Sequence, residues 1–139
     1  MRSNIQVGAT NEEWIQLAIK TITNLATLAI QKRGYFSLVL SGGNTPKPIY
    51  QALASDEIQA IFDWSQWFIF WGDERCVPPN DEESNYRMAK LAFLDQTPIP
   101  QKNIYRMMGE LDPNNAAQIY EQEINNFFKM RLKNRKVCF

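Results

Sequence analysis

Two short runs, "YFSLVL" at Tyr35 to Leu40 and "WFIFW" at Trp67 to Trp71, constrain the fold more than any other part of the chain. Each is rich in strand formers and apolar at nearly every position, without the polar alternation of a strand that has one face in water. Both are therefore predicted to be strands covered on two sides, and helices must supply the cover. The flanking segments have the right pattern for this. "TNEEW" offers Thr10 as an N-cap with Glu13 three residues on, a capping box. Trp14, Ala18, Ile22, Leu25 and Ala29 then recur at three- and four-residue intervals as one apolar face, and Gly34 is placed to end the helix.

Pro46 and Pro48 fit the first turn of a helix but not its middle, so a second helix is predicted from near Thr45 through Tyr50 and Leu53. Ser84 is expected to cap a third, carrying Tyr86, Ala89 and Phe93 with the neighbouring Leu91 and Leu94. Pro113 after Asp112 starts a last one, with Ala116, Tyr120, Ile124 and Phe127 on one face. "IQV" at Ile5 to Val7 and "NIYRM" at Asn103 to Met107 are expected as short additional strands. Strand and helix in alternation predict an α/β fold with a parallel sheet, right-handed crossovers and flanking helices.

Lys and Arg together number 15, as do Asp and Glu, which removes the electrostatic argument for nucleic acid or an anionic membrane as principal partner. No uncharged apolar run approaches a membrane span, and the N-terminus lacks the apolar core of a signal peptide, so the expected compartment is the cytoplasm. The chain contains no histidine, which excludes His-based triads and zinc sites within it. Cys76 and Cys138 are far apart with no metal-like spacing and read as incidental; no metal is expected.

In parallel sheets ligands collect outside the carboxyl ends of the strands. The loops "SGGNTP" and "GDER" follow the two predicted strands and are expected to converge on one crevice. The first has the parts of an anion cradle: Gly42 and Gly43 let backbone N–H groups approach a ligand, and a helix start adds positive partial charge. Ser41, Asn44 and Thr45 supply further donors. The loop lacks both the Gly-Lys-Ser/Thr ending of a nucleotide-binding loop and the three-glycine dinucleotide spacing, and alone it reads equally as a plain strand-to-helix turn. In the second loop Arg75 can grip a phosphate with paired N–H donors and Asp73 can act as a base or orient another group, although an isolated Asp-Arg pair reads first as a surface ion pair.

The conjunction is more specific than either loop. "LVLSGGNTPKPIYQAL", "WFIFWGDERCVPPNDEESNYRMAKLAFLD" and "IPQKNIYRM", in this order and separation, resemble successive N-terminal motifs of the 6-phosphogluconolactonases, within the wider glucosamine-6-phosphate isomerase/deaminase-like group. Related deaminases typically carry a tyrosine after the Asp-Glu pair, so Arg75 favours the lactonase branch. The resemblance implies a Rossmann-like fold, no metal or cofactor, and hydrolysis of the sugar phosphate 6-phosphogluconolactone to 6-phosphogluconate in the oxidative pentose phosphate pathway. It assigns Gly42, Gly43, Asn44 and Thr45 to the substrate-binding loop, Arg75 to phosphate or carbonyl recognition, and Asp73 to a supporting role in catalysis. Ser84, Asn85 and Arg87 match the helix behind the site; Arg87 reads equally as a ligand contact or as a partner of Asp81 or Glu83.

Members of that family continue for nearly as long again, through a Gly-rich segment with the histidine that deprotonates the attacking water. Here "EQEINNFF" is followed instead by "KMRLKNRKVCF". The expectation is thus that residues 1–128 form the N-terminal part of a single lactonase-type domain, with 129–139 a basic tail outside the resemblance. Such a truncated chain is expected to have an incomplete sheet and exposed apolar surface, hence to self-associate or be completed by another chain. Without its base it is expected to be inactive alone, and a non-catalytic sugar-phosphate-binding module or an interaction subunit is the alternative.

Overall fold

The computed structural model describes residues 5–133. Its elements are α1 (Asn11–Arg33), β1 (Phe36–Leu40), α2 (Lys47–Leu53), α3 (Asp56–Gln59), β2 (Trp67–Trp71), α4 (Asn85–Ala92) and α5 (Pro113–Lys133). β1 and β2 pair in parallel, with Phe36 opposite Trp67 and Leu40 opposite Trp71. The period of two in β2 sorts its aromatic residues between the faces. Trp67, Ile69 and Trp71 join Phe36 and Leu40 in a core roofed by α1, α2 and α4. Phe70 and Phe68 face the other way, against Tyr120, Ile124 and Phe127 of α5. Helices therefore cover both faces of β2, as its composition requires. α5 does not extend over all of β1, where Val39 remains 61% exposed.

The local signals for helix ends hold. Thr10 Oγ1 accepts from the Glu13 N–H at 3.2 Å, while the Glu13 carboxylate reaches back one residue beyond the usual box, to the Ala9 N–H at 2.8 Å. The Gly34 N–H closes α1 on the Ile30 carbonyl. The stripe that α1 buries overlaps the predicted one only in part: Ile22 and Ala29 pack against the core, but Ile19 and Ala26 are the buried residues with Ile15 and Ile30 beside them, and Leu25 is 54% exposed and Trp14 36%. The helix is apolar over much of its circumference, so several stripes satisfy the helical period, and contact with the sheet selects one. Leu91 of α4 is 57% exposed, while Ala89 and Ala92 take the buried face. In α5 the predicted face is the one buried.

Neither additional strand forms as such. Ile5 and Val7 pair with no strand among the described residues and are 80% and 81% exposed. "NIYRM" is reduced to a single parallel bridge between Ile104 and Ile69, with the Tyr105 N–H on the Ile69 carbonyl at 2.8 Å. The ladder stops because the next outward-facing groups of β2 are already taken. The Tyr120 hydroxyl accepts from the Trp71 N–H at 2.8 Å and donates to the Trp71 carbonyl at 3.0 Å. The Tyr50 hydroxyl treats Ser41 identically, accepting from its N–H at 2.8 Å and donating to its carbonyl at 2.9 Å. One phenol thus replaces a neighbouring strand at the end of each strand. Burial raises both hydroxyls above the usual tyrosine range, which keeps the proton each must donate.

Of the residues expected as a basic tail, 129–133 continue α5. The Arg131 guanidinium lies 3.7 Å from the Phe127 ring centroid and 4.2 Å from that of Phe68, so this cation extends the aromatic packing of the helix. Residues 134–139, including Cys138, fall outside the described residues. No helix among the described residues is long and apolar enough to cross a membrane.

Removing the Tyr120 hydroxyl leaves a buried N–H and C=O without partners. Tyr120→Phe is expected to lower unfolding free energy by about 1–3 kcal/mol in urea titrations. Tyr50→Phe should cost less, because Ser41 is exposed and water can replace the phenol. Equal losses for the two variants would contradict the difference in solvent access.

Candidate functional site

The loop that leaves β1 is shaped by a neighbour distant in sequence. A Cβ on Gly42 would fall 1.9 Å from Asn85 Oδ1, so only glycine lets the loop lie against that side chain. Gly43 has φ of 91°, the left-handed region that side chains resist. Among the described residues, the N–H groups of Gly42, Gly43, Asn44 and Thr45 have no protein acceptor. They form a short row of open donors. The helix expected from near Thr45 begins at Lys47, with Pro46 as its N-cap residue. α2 also lacks a side-chain cap, so the donors that matter are those of the turn.

The second loop is organised by Glu74, to which the motif reading gave no role. Its Oε1 accepts from the Arg75 N–H at 2.8 Å and the Asn85 N–H at 2.7 Å. Its Oε2 accepts from Ser84 Oγ at 3.1 Å and the Tyr86 N–H at 2.9 Å. The first turn of α4 thus receives a full negative charge where its own N–H groups have no internal acceptor. Ser84 adds the expected cap, accepting from the Arg87 N–H at 3.1 Å. An acidic residue eleven positions before the helix leaves no local spacing signature.

Asn85 joins the two loops. It is only 4% exposed, packs beneath Gly42, and donates from Nδ2 to the Asp73 carbonyl at 3.2 Å and to Asp73 Oδ1 at 3.3 Å. Just below, Trp71 meets the Tyr86 ring edge-on at 5.4 Å. The result is a crevice of about 270 Å³ whose lining includes Gly43, Asn44, Arg75, Glu83, Asn85 and Met88. Arg75 also borders a larger, mainly apolar cavity of about 430 Å³ on the α5 side, with Met107, Leu111, Tyr120 and Ile124.

Of the residues singled out from sequence, Gly43, Asn44, Arg75, Ser84 and Asn85 meet at the crevice, with Gly42 and Asp73 tied to its edge through Asn85. Ser41 turns its hydroxyl towards the Gly42 carbonyl, and neither Ser41 nor Thr45 lines the crevice. Arg87 does not line it either, and among the described residues it pairs with neither Asp81 nor Glu83. Chemically the arrangement is suited to an oxyanion: open N–H donors, one guanidinium and an amide on one side, with the carboxylates of Glu82 and Glu83 at the rim. Among the described residues no group of His, Cys, Asp and Glu is arranged to hold a metal ion.

The model of the family described as glucosamine-6-phosphate isomerases/6-phosphogluconolactonase matches residues 9–138. The chain belongs to this family. Its sequence is 42% identical over 131 residues to the 6-phosphogluconolactonase of Synechocystis, covering 94% of this chain and 53% of that protein. It is 38% identical over 130 residues to that of Nostoc, covering 92% and 52%. The solved 6-phosphogluconolactonase of Thermotoga maritima matches with a TM-score of 0.75 at 27% identity, covering 81% of this chain and 50% of that one. The resemblance read from the three motifs and the α/β fold with flanking helices are both upheld. The chain spans about half the length of these glucosamine-6-phosphate isomerase/6-phosphogluconolactonase family relatives.

Glu74→Gln replaces an acceptor for four donors by an amide that can accept at only one atom. It is expected to cost about 1.5–3 kcal/mol in urea unfolding, the range of hydrogen bonds to charged groups. The exposed rim residue Glu82, changed to Gln, should shift stability by under about 0.5 kcal/mol. A neutral Glu74→Gln variant would show that α4 does not depend on this carboxylate.

Proposed function

We propose that the chain carries the phosphate-holding part of a 6-phosphogluconolactonase-type site and binds the sugar phosphate 6-phosphogluconolactone or its product. The observation that carries this reading is the meeting of Gly43, Asn44 and Arg75 at one crevice, with the N–H groups of Gly43 and Asn44 free of protein acceptors among the described residues. A phosphate dianion is the ligand that uses all of these at once, each charge-assisted hydrogen bond being worth about 1.5–3 kcal/mol. The names of the relatives at 42% and 38% identity support the same substrate class.

Hydrolysis of a lactone adds water to the ring carbonyl, forms a tetrahedral oxyanion, and breaks the ring C–O bond to leave a carboxylic acid. A base must take a proton from the attacking water. In the family resemblance that base is a histidine, and this chain contains none. Asp73 is held by Asn85 at the crevice edge, a placement that suits an orienting role. The lack of histidine favours a second reading, a sugar-phosphate-binding module that does not turn over substrate by itself. The exposed Val39 on β1 leaves part of one sheet face open for another chain to cover, which supports a site completed by a partner. No cofactor enters this scheme. A cytoplasmic location is part of the proposal, although three of the relatives are named as chloroplastic.

Isothermal titration is expected to show tighter binding of 6-phosphogluconate than of gluconate, and Arg75→Ala should weaken the former by about 1.5 kcal/mol or more. Equal affinities for the two ligands would overturn the phosphate reading. In a lactonase assay the chain alone should not exceed the buffer rate, since loss of a general base typically forfeits about 10²–10⁴ in rate. Robust hydrolysis abolished by Asp73→Asn would instead assign the base's work to that carboxylate.

A further inference from the structure

We propose that Gly109 and the Arg106–Glu110 ion pair form a positioning unit that fixes the backbone from which Arg75 presents its guanidinium. This rests on the phosphate-binding reading of Arg75. A Cβ on Gly109 would lie 2.1 Å from the Arg75 carbonyl oxygen and 2.8 Å from that of Val77. Gly109 does not have positive φ, so its backbone would accept alanine; the close approach alone demands glycine. The Arg75 carbonyl is at the same time the acceptor for the Val77 N–H at 2.8 Å. Arg75 is thus pinned on both sides, its N–H on Glu74 and its carbonyl under Gly109.

The turn that delivers Gly109 is held shut by a fork. Arg106 Nη1 donates to Glu110 Oε2 at 2.9 Å and Nη2 to Oε1 at 2.6 Å, a bidentate pair that fixes direction as well as distance. Hydrogen bonding to Arg106 holds the Glu110 carboxyl down at about 2, so the pair stays ionised at neutral pH. Within the turn, the Gly109 N–H bonds the Met107 carbonyl and the Leu111 N–H that of Met108, both at 3.1 Å. The Arg106 guanidinium also sits 5.7 Å from the Tyr86 ring centroid, and the Tyr86 N–H is one of the donors on Glu74. The contacts close a circuit: Glu74 to Tyr86, Tyr86 to Arg106, Arg106 to Glu110, and Gly109 back to Arg75. Only the Arg75 side chain lies outside it, on the boundary between the small crevice and the larger apolar cavity. Displacing the backbone would redirect that side chain and so change phosphate affinity without touching the glycine loop.

The test is a double-mutant cycle on the full 139-residue chain, read by titration with 6-phosphogluconate and with gluconate. Gly109→Ala is expected to weaken 6-phosphogluconate binding about fivefold or more, and by less than about twofold when Arg75 is already alanine, while gluconate binding is unchanged. Arg106→Met and Glu110→Gln should behave alike; these partly exposed residues can be changed with the fold intact, so they decide the matter if Gly109→Ala does not fold. Equal weakening with and without Arg75, or loss of both ligands together, would overturn the positioning role in favour of a general structural one. Unchanged binding in Gly109→Ala beside a weakened Arg75→Ala would overturn positioning alone. Unchanged binding in Arg75→Ala would overturn the phosphate reading, and positioning with it.

Discussion

The carboxylate of Glu74 is the point on which the candidate site turns. It accepts from the main chain of its own loop and from the first turn of α4, so one ionised side chain holds both to a common origin. Without it, the start of α4 would need other acceptors for its N–H groups, and Asn85 would lose the backbone bond that sets its position. Since Asn85 both shapes the glycine loop and holds Asp73, the two loops at the crevice are set against each other by this anion. A buried or half-buried charge is tolerable only when its lone pairs are occupied, and four donors meet that condition here.

The Gly109 turn extends the same logic to the far side of Arg75. Cradle and guanidinium share the Glu74 carboxylate, through Asn85 on one side and the Arg75 N–H on the other, but each has a second support of its own: the Tyr50 hydroxyl behind the cradle and Gly109 behind Arg75. A change at Gly109 need not disturb the glycine loop.

What could be read from the sequence was what is decided within a few residues. The caps at Thr10, Gly34 and Ser84 depend on neighbours three or four positions away, and the two strands announce themselves by composition. The convergence of the loops followed from parallel topology alone. What escaped depended on distant partners. The bridge at Ile104 goes no further because Tyr120 occupies Trp71, a contact spanning 49 positions, and nothing in "NIYRM" itself signals it. Glu74 has no local signature because the helix it caps begins eleven residues on, and the period of α1 does not single out its buried stripe because its apolar residues satisfy more than one helical face.

Trp71 meets the ring of Tyr86, the α4 residue whose N–H rests on Glu74 and whose ring lies near Arg106. At 2% exposure its indole is shielded from water, and its Nε1 has no acceptor among the described residues. The emission of such a chromophore responds to small shifts of the aromatic ring and charges beside it. With Trp14, Trp64 and Trp67 replaced, the indole two residues before Asp73 would therefore serve as an optical gauge of the Tyr86 and Arg106 contacts, one that needs no attached dye.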